Sequence, residues 1–326
     1  MAGGETMKMK TATTMVNLAE EYLAVRRKLG FALKIEGEEL IRFAQYADST
    51  GHQGPVTTEL AVRWAKLPQK SDPLYWARRL DIVRRFAKHR LLFDATTEIP
   101  PQGLFGPSYR RKSPHIYSEK ELSDLLCAAS RLGPVGGLRP HTYVALFGLL
   151  ASTGLRISEA LALSRHDVDL QIGVLTIRAG KFKKSRLVPL HYTVTEALQQ
   201  YCRRRDIYHP QRTCDAFFLT KYGTALKYWR SLMTFLAISR DLGWRSVSRK
   251  ASPRIHDLRH TFAVLTLLRW YKQGVDIDRK ILALTTYLGH VKVTDTYWYL
   301  SAVPELFAIV GDRFEKFVHN QSGEKL

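Results

Sequence analysis

Residues 96–116, TTEIPPQGLFGPSYRRKSPHI, contain four prolines and no apolar repeat at helical or strand spacing. Proline removes a backbone donor and disfavours helical geometry in the residue before it, so this segment does not continue a regular element. It interrupts a chain of 326 residues, which is longer than one average domain. The sequence therefore predicts two domains joined by a linker at 96–116.

The part before the linker shows a helical pattern. Apolar residues recur at three- and four-residue spacing across 14–95, which predicts an all-helical domain. Thr57 or Thr58 is expected to cap a third helix, and a fourth helix is expected to span 73–89. Residues 1–13 lack the pattern and are predicted to be a flexible N-terminus.

The part after the linker, 117–326, mixes helices with a hairpin. Ser118 and Glu121 have the spacing of a capping box, and an apolar helix is expected around 141–152. Residues 173–190, GVLTIRAGKFKKSRLVPL, alternate like two strands around a basic turn and predict a β-hairpin. The predicted fold class is mainly α with a small β-sheet: a helical N-terminal domain and a mixed α/β C-terminal domain with a helical tail.

The charge balance points to a polyanionic partner. The chain has 50 Lys and Arg against 30 Asp and Glu, a formal net charge of +20. A split at Ser113 gives +7 (19 basic, 12 acidic) and +13 (31 basic, 18 acidic), so both halves carry the excess. Such a field favours nucleic acid. The fourth predicted helix is especially basic, and its positive side chains form either a solvated face or a phosphate-binding one: Arg78, Arg79, Arg84, Arg85 and Lys88.

Several other classes are excluded by composition. Three cysteines, an odd number without metal-ligand spacing, support neither a disulfide framework nor a zinc site, and no cofactor is expected. No apolar run reaches the roughly 18 residues of a membrane span. The N-terminus has no apolar core of a signal peptide. We therefore expect a cytoplasmic protein without a membrane partner.

The stretch HDLRHTF, residues 256–262, concentrates titratable side chains at the head of an apolar run. It is either a capping device or a site for a negatively charged group. Charged or polar residues also stand in four other motifs, and each alone has an ordinary structural explanation, such as an ion pair, a solvated lysine, a helix C-cap or a core aromatic. These residues are Arg156 in TGLRISEAL, Lys181 in GKFKKSRLVPL, His290 in LGH, and Tyr299 nine positions later.

The order and spacing of these motifs resemble the tyrosine recombinase (phage integrase) family. The resemblance covers about 117–310, and the N-terminal helices look like that family's core-binding domain. It implies a DNA strand-transfer enzyme that needs no metal. The scissile phosphate is a poor electrophile, and the planar guanidinium groups of Arg156 and Arg259 suit its non-bridging oxygens.

The resemblance also implies a role for each remaining motif residue. Tyr299 attacks phosphorus and leaves a 3′-phosphotyrosyl bond, and since a phenol has a pKa of about 10 it needs a base. His256 matches that base, Lys181 the acid that protonates the leaving 5′ oxygen, and His290 a hydrogen-bond donor to the phosphate. Glu159 matches a supporting acidic position.

Two departures and two alternatives accompany the resemblance. His256 and His290 are 34 positions apart, which is longer than usual. The hairpin turn lacks its usual glycine, so Lys183 or Lys184 competes with Lys181 for the acid role. Tyr297 is a second phenol, about 200° from Tyr299 around a helix. Spacing from His290 selects Tyr299, which predicts that Tyr297 packs inward or contacts a neighbouring subunit. Asp257 and His260 are interpreted as capping or supporting groups.

The resulting expectation is a site-specific recombinase, integrase or transposase that acts on duplex DNA carrying specific sites. The resemblance implies an assembly of four on synapsed DNA, with a monomer or dimer in the unbound state. The amphipathic segment 303–318 docks either on its own domain or on a neighbouring subunit. The alternatives are a type IB topoisomerase-like enzyme, and a DNA-binding regulator that keeps the fold without cleavage.

Overall fold

A computed structural model describes residues 14–110, 113–178, 185–211, 213–245, 252–290 and 292–300, with the backbone alone for 298–300. The chain divides into two compact units, Met1–Lys112 and Ser113–Leu326. The predicted fold class, mainly α with a small sheet in the second part, is confirmed. The finer domain limits remain predictions. No helix within these described ranges is long and apolar enough to cross a membrane.

The first unit is helical. Phe43, Trp64 and Phe86 are among the fully buried side chains of its core. The side chain of Thr57 accepts a hydrogen bond from the backbone of Leu60 at 3.2 Å, so Thr57, the first of the two predicted caps, is the N-cap of the third helix. The helices are α1 (Met15–Lys28), α2 (Lys34–Ser49), α3 (Thr58–Ala65) and α4 (Pro73–Arg90).

Part of the predicted linker is folded onto the first unit. The backbone N–H of Glu98 donates to Val56 O at 2.9 Å, and the Glu98 carboxylate accepts from the backbone of Thr58 at 2.7 Å. Arg84 donates from Nε to Pro100 O at 2.8 Å and from a terminal nitrogen to Pro101 O. The two prolines interrupt any regular ladder, but their carbonyl groups still require donors, and a helix arginine supplies them.

The second unit is built around a central buried helix. This helix, α6, packs against α5, α7, α8 and α10, and it buries Leu146, Phe147 and Leu150. The capping box predicted at Ser118 and Glu121 begins α5. The helices are α5 (Glu119–Ser130), α6 (Leu138–Thr153), α7 (Ile157–Leu161), α8 (Tyr192–Tyr208), α9 (Tyr228–Asp241), α10 (Asp257–Lys272), α11 (Ile277–Leu288) and α12 (Thr294–Leu300).

A three-stranded antiparallel sheet completes the described part of this unit. Its strands, in spatial order, are β1 (Val168–Asp169), β2 (Val174–Ile177) and β3 (Arg186–Pro189). The predicted hairpin is formed by β2 and β3, and the short β1 extends it. The turn residues 179–184, the N-terminal residues 1–13 and the segment 303–318 lie outside the described residues.

Candidate active site

A left-handed glycine places Arg156 at the start of α7. Gly154 ends α6 with φ 62°, and a Cβ there would lie 2.5 Å from Phe262 Cδ1, so both the backbone angle and the space require glycine. Arg156 is the residue immediately before α7, and its backbone N–H donates to Glu159 Oε2 at 3.0 Å. The cap therefore fixes the backbone of Arg156 relative to the carboxylate of Glu159.

Glu159 joins two arginines. Arg156 Nη1 donates to Glu159 Oε1 at 2.8 Å, while Arg186 Nη1 and Nη2 donate to Oε1 and Oε2 at 3.1 and 2.9 Å. Burial alone would raise the pKa of Glu159, but hydrogen bonds from Arg186 and from the Arg156 backbone, together with both positive charges, lower the pKa to about 2. Glu159 is therefore ionised at neutral pH and holds both guanidinium groups in place.

Three arginines also bind three consecutive carbonyl groups at the end of α11. Arg186 Nε donates to Tyr287 O at 2.7 Å, Arg259 Nη2 to Leu288 O at 2.6 Å, and Arg156 Nη2 to Gly289 O at 3.3 Å. The last carbonyls of a helix lack partners within the helix and form its negative end, so cations stabilise them. The arginines thereby anchor the turn that leads into His290.

The glycine at this turn is required by its surroundings. Gly289 caps α11 with φ 67°, and a Cβ there would lie 2.7 Å from Arg186 Nη1. Arg259 extends the same network, since its Nη1 donates to Gly154 O at 2.7 Å. Arg259 thus ties the end of α6 to the end of α11, and it is only 2% exposed.

The HDLRHTF stretch begins α10, with His256 at the N-cap position. The Asp257 carboxylate accepts from Arg254 through the backbone N–H at 2.9 Å and Nη2 at 2.7 Å, which ties the first residue of α10 to the residue three positions before it. Desolvation by surrounding protein atoms and the charge of Arg259 lower the pKa of His256 below its ordinary value. His256 meets His260 edge-on, with ring centroids 4.9 Å apart. The His256 imidazole is therefore neutral at physiological pH.

His290 is tied to the last described helix. Its Nδ1 lies 2.8 Å from Thr296 Oγ1, and Thr296 Oγ1 lies 2.9 Å from Thr285 Oγ1 on α11. Thr296 is fully buried on α12. Tyr297, the next residue, is 42% exposed and does not pack inward, so the other expectation, contact with a neighbouring subunit, stays a prediction.

The structure brings most of the predicted site residues together. Shared hydrogen bonds link Arg156, Glu159 and Arg259 to the turn before His290, and His256 lies one helical turn before Arg259. Lys181, Lys183 and Lys184 lie outside the described residues. The backbone of position 299 belongs to α12, but the Tyr299 side chain also lies outside them.

Sequence reasoning missed Arg186, Thr285 and Thr296. One signal was available for Arg186, which shares a face of β3 with the buried Val188. An arginine at an inward position of a strand needs a partner, because burying an unpaired charge is costly. The two threonines show no such signal in the sequence, because a threonine hydroxyl in a helix can bond a carbonyl of its own helix and needs no partner from a distant segment.

The predicted basic helix α4 divides into two groups. Arg79 is buried, with its guanidinium carbon 3.8 Å from the centre of the Trp64 ring, and Arg84 bonds to Asp81 and to the prolines described above. These two side chains are therefore occupied within the unit. The other three predicted DNA-contacting residues of the helix are exposed: Arg78, Arg85 and Lys88. Among the described residues, no group of three His, Cys, Asp or Glu side chains is placed to hold a metal ion.

Known sequences are similar to this chain over most of its length. The profile of the phage integrase family matches residues 117–305. A provisionally named integrase/recombinase of Sinorhizobium fredii, y4rB, is 42% identical over 311 residues, which cover 93% of this chain and 98% of that protein. The tyrosine recombinase XerC of Chlamydia caviae is 31% identical over 226 residues, or 68% of this chain and 65% of that protein.

Solved structures share the fold. The Tn1549 transposon integrase in complex with transposon right end DNA superposes with a TM-score of 0.65 at 16% identity, covering 94% of this chain and 99% of that one. The XerH site-specific recombinase bound to a palindromic difH substrate gives a TM-score of 0.57 at 17% identity, covering 94% and 98%. The chain therefore belongs to the phage integrase family and is a tyrosine recombinase, an enzyme that transfers DNA strands.

Proposed function

We propose that this protein is a site-specific recombinase that cuts and rejoins duplex DNA through a covalent 3′-phosphotyrosyl intermediate. The observation that carries this proposal is the convergence of Arg156 and Arg259 on the C-terminal turn of α11, directly before His290. Neither the topoisomerase-like nor the regulator alternative is favoured by the family relationship.

The arginines supply the electrostatic part of the reaction. Negative charge grows on the non-bridging oxygens as phosphorus becomes five-coordinate, and fixed cationic donors stabilise that state without reorganising. Arg156 is partly exposed and already oriented by Glu159. Arg259 is almost completely covered and is held by its bonds to Gly154 O and Leu288 O. His290 adds a donor to the same phosphate.

The remaining groups move protons. The Tyr299 hydroxyl oxygen attacks phosphorus and its proton passes to His256, whose lowered pKa keeps the imidazole neutral and able to accept it. The bond from phosphorus to the 5′ oxygen breaks, and Lys181 protonates that oxygen. Attack by the 5′ hydroxyl of another strand reverses both transfers and releases Tyr299. Lys183 and Lys184 remain candidates for the acid.

Duplex DNA with specific recombination sites is the proposed partner, and a tetramer on two synapsed sites is the proposed working assembly. The Tn1549 integrase and XerH structures were both determined with DNA. Exposed Arg78, Arg85 and Lys88 on α4 are proposed to contact phosphates of the duplex. We place this activity at the nucleoid in the cytoplasm, and integration, excision and transposition are all compatible with it.

The test begins with the DNA site. Expressing the protein beside its native flanking DNA and sequencing new junctions identifies a target, from which a nicked suicide duplex is built. Incubation with this duplex should give a DNA–protein adduct that resists denaturation, and two such sites should recombine. If the protein formed an adduct on one site, and only relaxed supercoiled DNA that carries this site without recombining two sites, the topoisomerase alternative would be favoured. Specific binding without an adduct would favour the regulator.

A further inference from the structure

The chain of hydroxyl groups between α11 and α12 ends on the ring of His290. Thr296 Oγ1 lies 2.8 Å from His290 Nδ1 and 2.9 Å from Thr285 Oγ1, and Thr285 Oγ1 lies 2.7 Å from Ile281 O. Thr296 is 0% exposed and Thr285 is buried as well. Because Thr296 is on α12 and Thr285 is on α11, this chain forms only when α12 is seated against α11. A buried hydroxyl that lost its partner would still bear the cost of its desolvation.

Counting protons limits the chain to two arrangements, because each hydroxyl donates once. In one, Thr285 donates to Ile281 O, Thr296 donates to Thr285, and the Nδ1–H of His290 donates to Thr296. In the other, Thr285 donates to Thr296, Thr296 donates to Nδ1, and a neutral His290 carries its proton on Nε2. Both arrangements use Nδ1 for Thr296 and leave Nε2 for the phosphate. Nε2 donates to the phosphate from a neutral ring in the second arrangement, and from a protonated ring in the first.

The position of Thr296 links this hydrogen bond to the nucleophile. Thr296 precedes position 299 by three residues on the seven-residue helix α12. Movement of α12 away from α11 would therefore displace the proposed nucleophile and break the contact with His290 at the same time.

We propose that Thr296 is a positioning residue that holds the His290 ring in its phosphate-binding orientation only while the nucleophile helix is seated. Thr285 supports it by orienting the Thr296 hydroxyl. This proposal rests on the phosphate-binding role given to His290 under the proposed function. It makes the nucleophile and one phosphate donor ready in the same step, so that an undocked α12 leaves both inactive.

The test is a double-mutant cycle on the nicked suicide duplex described above. Thr296→Val keeps the branched shape and removes the hydroxyl, and it should lower the rate of adduct formation about tenfold, the effect of removing one hydrogen bond. Thr296→Ser should restore the rate to within about threefold, since the hydroxyl returns. Thr286→Val is the matched control, because the Thr286 hydroxyl is on the exposed side of α11 and, among the residues that the structure describes, bonds only Leu282 O, at 3.0 Å, within its own helix.

The decisive arm is the His290→Ala background. If Thr296 acts through His290, adding Thr296→Val there should cause no further loss of rate. Multiplicative losses in the double variant, or a Thr296→Ser variant as slow as Thr296→Val, would overturn the proposal. If Thr296→Val fails to fold in thermal unfolding, Thr285→Val takes its place in the same cycle with the same criterion. A His290→Ala variant with unchanged rate would instead contradict the role of His290 in the proposed function.

Discussion

Arg186 and Glu159 form a two-point ion pair, with Nη1–Oε1 and Nη2–Oε2 distances of 3.1 and 2.9 Å. The pair joins the second strand of the hairpin to the first turn of α7. The carboxylate also binds Arg156, and Arg186 also binds Tyr287 O on α11. The buried Glu159 carboxylate and Arg186 therefore fix the relative positions of β3, α7 and α11, which carry or support the proposed phosphate site.

Glu159→Gln should destabilise the protein in a pH-dependent way. A pKa lowered from 4.5 to about 2 contributes about 3 kcal/mol of stability, present above pH 4.5 and lost as the pH falls toward 2. The free energy of unfolding of Glu159→Gln should therefore lie below that of the wild type at pH 7, and the gap should narrow below pH 4.5. Urea unfolding at several pH values measures both curves.

Glu59→Gln is the control for this experiment. Glu59 pairs with Arg63 on the surface of α3, with side chains 80% and 60% exposed, and such pairs contribute little. It should change the free energy of unfolding by less than about 1 kcal/mol at pH 7. A constant gap between wild type and Glu159→Gln from pH 7 to pH 3 would contradict the charged role of Glu159.

Gly289→Ala should impair both stability and adduct formation. Besides the cost of a left-handed backbone, the new Cβ would meet Arg186 Nη1 at 2.7 Å and displace the guanidinium from Glu159 and Tyr287 O. Gly274→Ala is the matched variant, with φ 70° and no atom within 4 Å of its Cβ. It should lose only the conformational cost of about 1–2 kcal/mol and keep normal adduct formation. Equal behaviour of the two variants in thermal unfolding and suicide-substrate assays would argue against the close approach.

Tyr299→Phe should abolish covalent adducts while folding and DNA binding persist, because it removes only the attacking oxygen. Tyr297→Phe should form adducts at the normal rate, since Tyr297 is exposed and its spacing from His290 does not fit. Tyr287 is a poor alternative, because burial raises its pKa to about 12. Mass spectrometry of the peptide attached to the suicide substrate identifies the residue, and DNA attached to Tyr297 would refute the assignment.

Lys181→Ala should block cleavage of ordinary DNA but recover on a substrate with sulfur at the 5′ bridging position. A thiolate leaves without a proton, so the general acid becomes unnecessary. Arg156→Ala should show no comparable recovery, because its proposed role is on the non-bridging oxygens. Rescue of Lys183→Ala or Lys184→Ala instead of Lys181→Ala would move the acid to that lysine.

The two groups of basic residues on α4 should affect DNA binding and stability differently. Removing Arg78, Arg85 and Lys88 together should reduce the log–log salt dependence of DNA binding by about 0.9 for each phosphate that these side chains neutralise in the wild type. Arg79→Met should leave that slope unchanged and lower the thermal midpoint, because Arg79 packs on Trp64 inside the unit. Titrations at several salt concentrations, with circular dichroism melting, distinguish the two results.

Local signals were sufficient for much of the fold. Helical spacing, the Ser118–Glu121 box and the alternating hairpin each involve residues close in the chain, and the structure shows α5, β2 and β3 where they were expected. The proposed site residues came instead from the resemblance of several ordered motifs to the tyrosine recombinase family. Short-range patterns succeed because capping and strand alternation depend on neighbours within one or two turns.

Tertiary contacts decided which charges are buried and with what they pair. Arg186 reaches Glu159 across 27 residues, and Arg156 reaches Gly289 across 133, so no local spacing reveals either bond. Tertiary packing also makes Arg79 differ from Arg85 on α4, because only the packing of α3 places the Trp64 ring against Arg79. The sequence by itself determined the fold class, because local periodicity sets the type of each element. The order of the motifs is read directly from the sequence. The tertiary structure alone decided that three arginines bind the end of α11, because the partners of a buried charge come from distant parts of the chain.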